Sequence, residues 1–143
     1  MLNFFSPRPG RFGIQPVIIQ QRINTGTLAA GTQTHNLGGL PRKAIISAVQ
    51  VSAETYPTAA TNCTVTLVKR DASAAGNVTL SSAIDINAKT AETVQAGSLL
   101  TTLTDAQRLL DTGDTVKISL VTTGAVSVQP DDLVVTVELQ YLY

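Results

Sequence analysis

Residues 115–121 read TVKISLV, and residues 133–143 read LVVTVELQYLY. Both alternate apolar with polar side chains, the period of an extended strand with one buried face. Asp111-Thr112-Gly113-Asp114 precedes the first run and Pro130-Asp131-Asp132 precedes the second. Asp, Gly and Pro at those places are turn chemistry. Two alternating strands with punctuation between them, the second running to Tyr143, predict a β-sandwich closed by its last strand rather than a chain ending in a tail.

Working outward, the same pattern recurs. Val17, Ile19 and Ile23 alternate along a first strand, broken at Thr25-Gly26. Residues 27–37 are rich in Thr and Gly and suit an edge strand. Gly38-Gly39-Leu40-Pro41 predicts a turn. Lys43 to Ala53 predicts a strand with Ile45, Val49 and Val51 on one face. Thr55 to Ala60, with Pro57, predicts a loop. Asn62 to Arg70 predicts a strand with Cys63, Val65 and Leu67 inward. Ala74-Ala75-Gly76-Asn77 turns into a short strand around Val78 and Leu80, and Ile84, Ile86 and Val94 mark further short pieces.

Thr104-Asp105-Ala106-Gln107 fits a capping box, with Thr104 as N-cap and Gln107 three residues on. Arg108, Leu109 and Leu110 would complete one helical turn. The expected fold is therefore all-β: an antiparallel β-sandwich of about eight strands and one short helical turn, with jelly-roll connectivity favoured. The immunoglobulin markers are absent, since the chain has no Trp and a single Cys.

Residues 1–16 read as an extended arm and residues 17–143 as the sandwich domain. Pro7, Pro9, Gly10, Gly13 and Pro16 exclude a helix or a central strand. All three phenylalanines, Phe4, Phe5 and Phe12, lie in this arm. Aromatic side chains on a proline-stiffened segment are expected to dock, and a neighbouring subunit is the preferred acceptor. Phe4, Phe5, Arg8, Arg11 and Phe12 are the expected arm contacts.

Charged residues make up only 14% of the chain against 43% hydrophobic. Thr, Ala, Ser and Gln take surface positions that Lys and Glu usually hold, giving a surface that packs against neighbours at little desolvation cost. The net charge is zero but unevenly placed. Up to Ala53 there are five bases and no acid, a net of +5; from Glu54 onward five bases face ten acids, a net of −5. That asymmetry suits head-to-tail contact between copies unless the fold interleaves the two parts. The first residues lack the apolar core of roughly 7 to 15 residues of a secretory signal. No apolar run approaches the roughly 20 residues of a membrane span.

Candidate chemistry is sparse. Cys63 is the one cysteine and His35 the one histidine. A lone Cys in phase with apolar neighbours reads as a buried structural thiol, and a lone His anchors no transition-metal site. Leu109-Leu110-Asp111-Thr112-Gly113 resembles the active-site segment of retroviral-type aspartic proteases. That fold needs a flap and a supporting loop after the segment, and two strands consume the thirty residues that follow Gly113. Asp111, Asp114, Asp131 and Asp132 could approach calcium only if their two turns met. Two arginines beside Phe12 make a poor nucleic-acid platform. The expectation is a non-enzyme without cofactor or metal, binding neither nucleic acid nor membrane.

The turn at 112–116, the strand after it, a short Gly loop and the terminal Leu133–Leu139 strand resemble the closing segment of small jelly-roll structural proteins of tailed bacteriophage virions. Among these the chain is most like a capsid decoration (cement) protein. The resemblance implies a place on the capsid surface of a virion made in the host cytoplasm, with the major capsid protein as partner. It also implies self-association as a homotrimer, with arms reaching adjacent capsomers. Two other readings stay open: a neck, tail or fibre component, and a carbohydrate- or receptor-binding sandwich.

Overall fold

In a computed structural model of the chain, residues 15–72 and 76–142 are described. Twelve strands and one short helix lie among them. The strands are β1 (Gln15–Arg22), β2 (Gly31–Gly39), β3 (Ala44–Ser52), β4 (Thr58–Ala59), β5 (Asn62–Arg70), β6 (Asn77–Thr79), β7 (Ile84–Asp85), β8 (Val94–Ala96), β9 (Leu109–Leu110), β10 (Thr115–Thr123), β11 (Val126–Val128) and β12 (Val134–Tyr141). The helix is α1 (Asp105–Arg108). The expected eight strands become twelve because six pieces of two or three residues join the six long ones.

One sheet has the order β1-β12-β3-β8, with β9 also on β3; the second has the order β2-β10-β5-β6, with β7 also on β5. All the pairings are antiparallel. The pairs nest: β1 with β12, β2 with β10, β3 with β8, β5 with β6. A long hairpin rolled so that successive strands fall in alternate layers gives this nesting, which is jelly-roll connectivity. The apolar sets of β10 (Val116, Ile118, Leu120) and β12 (Val135, Val137, Leu139) meet between the layers, buried with Val49, Val51, Val65 and Leu67.

Four local readings change. β2 runs on through Gly38 and Gly39, where a turn was expected, and its register slips between Val116 and Lys117 so that Leu37 is an extra residue. Leu37 is buried in the core, in phase with Gln33 and His35 opposite the inward Leu120 and Ile118. In β3 the inward residue is Ile46, not Ile45, because the register also shifts opposite Glu138 and Leu139. Ser47 is the inserted residue, and its Oγ donates to Glu138 Oε1 at 2.9 Å. The bulge moves Ala44 and Ile46 into phase with Val49 and Val51. Leu109 and Leu110 do not extend the helix; they form β9 on β3, with Leu110 buried. The capping box on Thr104 is present. Residues 27–30, expected as strand, form a loop pinned by buried Leu28, whose N–H and carbonyl both bond the Gln129 amide, at 2.7 and 3.0 Å.

The charge asymmetry along the chain is largely undone by folding. Arg22 pairs with Asp132 at 2.6 Å and Lys43 with Asp111 at 3.8 Å. Arg42 lies 4.8 Å over the Tyr141 ring. The bases of the front half of the body thus sit against its back half.

Candidate interaction surfaces

β1 begins at Gln15, so Gln15 and Pro16 belong to an edge strand, where a proline is tolerated. Phe4, Phe5, Arg8, Arg11 and Phe12 lie outside the described residues. The structure therefore bears on their role through the surfaces the body offers.

The residues singled out for chemistry are occupied by structural work. The Cys63 thiol is fully buried, and burial pushes it above its ordinary range. Its Sγ lies 3.5 Å from Thr122 Oγ1. Such a thiol stays protonated and unreactive at neutral pH. Burial lowers the His35 imidazole below its usual value, and its Nε2 lies 3.1 Å from Gln33 Oε1. Asp111 accepts from the Thr112 N–H at 2.8 Å. Asp114 is buried and accepts from the Ala72 and Asp111 N–H groups, both at 2.9 Å. Those contacts make the Asp-Thr-Gly-Asp segment a self-bonded turn.

Asp111 sits by Lys43, whose carbonyl bonds Leu142 beyond the end of β12, while Asp131 and Asp132 precede the start of β12. The two acidic turns lie at opposite ends of the sandwich and cannot share a calcium ion. Among the described residues, no three of His, Cys, Asp and Glu are grouped to hold a metal. No helix among them is long and apolar enough to cross a membrane.

Sugar-binding sandwiches present aromatic faces. Here Tyr56 is buried, its hydroxyl donating to the carbonyls of Val51 and Thr93, and Tyr141 lies under Arg42.

One residue that sequence reasoning missed is Lys69. Its ammonium is buried and donates to the carbonyls of Leu109 at 2.9 Å and Ala106 at 3.3 Å, beside Asp114. The signal was present: Lys69 has the same parity along β5 as Cys63, Val65 and Leu67.

What remains exposed is the outside of the two sheets. On the first sheet, outward rows run Ile18–Glu138–Ala48 and Arg22–Val134–Ser52–Val94. Ile18 is 66% exposed and Val94 53%. Thr136, Gln20, Gln50 and Ala96 fill the row between them, so charge is sparse there. A hollow of about 330 Å³ at the Arg22 end is lined by Ser52, Ala53, Glu54, Glu92, Asp132 and Val134. The second sheet has a hollow of about 320 Å³ lined by Arg70, Gly76, Asn77 and Lys117. A sheet face of low charge density, with Glu138 and Arg22 as the charges of its rows and isolated large apolar residues between them, is suited to contact with another protein surface.

No protein-family model matches the chain, and no curated protein sequence matches it. Among solved structures it is similar to a chain of the "Cyanophage Pam1 capsid asymmetric unit", with a TM-score of 0.53 and 23% sequence identity. The match covers 99% of this chain and 94% of that one. At that identity the likeness shows a shared fold along essentially the whole length of both chains.

Proposed function

We propose that this chain is a non-enzymatic structural protein of a phage virion, acting as a capsid decoration (cement) protein. It binds the outer lattice of the major capsid protein, associates with copies of itself as a homotrimer, and stabilises the shell. The observation that carries this reading is the end-to-end fold likeness to a chain of a cyanophage capsid asymmetric unit. Two further features support it. The groups with catalytic potential are tied up in turns and core contacts, and the outer face of the first sheet is of low charge density. Symmetry multiplies modest contacts, so repeated copies hold a lattice that one copy would hold weakly.

Phe4, Phe5, Arg8, Arg11 and Phe12 serve in this reading as contacts to the shell or to neighbouring subunits. The test is co-sedimentation of the purified chain with shells assembled from the major capsid protein of the same phage, followed by image reconstruction. Saturable binding on the outer lattice at a fixed ratio is expected. Changing Phe4, Phe5 and Phe12 together to Ala should abolish it. Density at the neck, tail or fibres with bare capsid faces would favour the other virion roles and end the decoration reading.

A further inference from the structure

We propose that the outer face of the β1-β12-β3-β8 sheet is the seat of the arm of a second copy, with residues 8–12 of one chain lying across Val134, Ser52 and Val94 of the next. The proposal rests on the reading of the arm as a contact segment, and not on the capsid itself.

The chemistry of the seat matches the arm. Val94 and half-buried Val134 flank Ser52 in one row and give an apolar strip for Phe12. Glu54 and Glu92 stand exposed at the end of that row, and neither has a basic partner among the described residues. The third carboxylate there, Asp132, already pairs with Arg22. Residues 15–143 hold eight bases against ten acids, a net of −2, and residues 1–14 hold Arg8 and Arg11 with no acid, a net of +2. Arg22, Lys43 and Arg42 of the body already face Asp132, Asp111 and Tyr141. The two other bases of the front half, Arg8 and Arg11, belong to the arm.

Chain length decides whose arm it is. β1 runs from Gln15 to Arg22, and Arg22 is in the row of Val134, Ser52 and Val94. Seven residues of strand put that row about 23 Å along the sheet from Gln15. Val94 lies three strands across, about 14 Å. The straight line from Gln15 to Val94 is then about 27 Å. At full extension the chain from Gln15 back to Phe12 spans at most about 11 Å, to Arg11 about 14 Å, and to Arg8 about 25 Å. The segment cannot lie in the seat of its own chain, and a second copy brings it there without strain. Each arm then engages the next subunit head to tail, a contact that closes into a ring such as a trimer when the rotation allows.

Two measurements on the full-length chain in solution, with no shell present, test this, so that their failure is separable from failure of the capsid reading. Cys63 is buried and silent to oxidants. A Phe12→Cys chain is mixed with a Val94→Cys chain under mild oxidation, with Thr34→Cys on the second sheet as control. The expected product is a Phe12–Val94 cross-linked pair formed in large excess over the Phe12–Thr34 pair. Equal yields, or none, overturn the proposal.

In sedimentation, Arg8→Glu with Arg11→Glu weakens self-association by about tenfold, the scale of two exposed ion pairs. Adding Glu54→Arg and Glu92→Arg to the same chain restores it. An arm reversal that leaves association unchanged, or a fourfold variant that stays weakened, overturns the proposal.

Discussion

Lys69 Nζ lies 4.0 Å from Asp114 Oδ2, with the two side chains only 3% and 4% exposed. The pair joins β5 to the turn that launches β10. Lys69 also satisfies the carbonyls of Ala106 and Leu109 at the end of α1. Asp114 holds the N–H groups of Ala72 and Asp111. Removing one member leaves the other as a buried charge without its counter-ion, which costs about 3 kcal/mol. Lys69→Met and Asp114→Asn should each lower the stability measured by urea unfolding by about that amount. The double variant should lose clearly less than the sum, because it removes both charges. Strict additivity would mean that the two groups do not act as a pair.

The bulge at Ser47 makes a sharp contrast between adjacent isoleucines. Ile46 is buried and Ile45 only partly so. Ile46→Ala should cost about 3 kcal/mol, the usual range for deleting a buried aliphatic side chain. Ile45→Ala should cost about 1 kcal/mol or less, since less apolar area is lost. Urea midpoints of the two variants decide it, and a larger loss at Ile45 would place the register shift elsewhere.

Gly97 lies where the first sheet crowds the second. A Cβ there would sit 2.7 Å from Ile84 Cδ1 and 2.8 Å from Val49 Cγ1. Gly97→Ala should therefore destabilise the protein by about 2 kcal/mol through overpacking. Gly76, whose Cβ would meet nothing within 4 Å, is the control. Gly76→Ala should be close to neutral in the same thermal melts. Equal shifts in the two would show that the Gly97 contact relaxes at no cost.

The long strands were legible because each carries a period-two pattern between turn residues, and β5, β10 and β12 lie where the pattern put them. The pattern failed where the backbone breaks the period. At Ser47 one inserted residue exchanges Ile45 for Ile46, and at Leu37 another lets two glycines continue a strand. The two-residue strands β4, β7 and β9 are too short to show a period, and their pairing is set by neighbours distant in sequence. Lys69 was overlooked because a lysine reads as outward, although its parity was inward. The assembled outer face of the first sheet was not legible either, because its rows join strands distant in sequence. Ile18 is outward by the alternation that turns Val17 and Ile19 inward, but only the register sets it beside Glu138.

Two buried acids predict the behaviour at high pH. Burial raises Cys63 above its ordinary value of 9.0 and Tyr56 above 10.0. Each prefers its neutral form in the folded state. Below about pH 8 both are almost wholly protonated whether folded or unfolded, so neither makes stability depend on pH. As pH rises past 9, the unfolded chain releases the Cys63 proton while the native thiol keeps it. The unfolded state then binds fewer protons, and stability falls with pH. Tyr56 adds a second decline above pH 10 by the same linkage. Cys63→Ala removes the first decline but leaves the second. The gap in urea midpoint between the wild-type chain and Cys63→Ala should therefore hold constant from about pH 7 to 8 and narrow as pH rises through 9. A gap that stays constant to pH 10.5 would mean that the thiol reaches solvent in the folded protein.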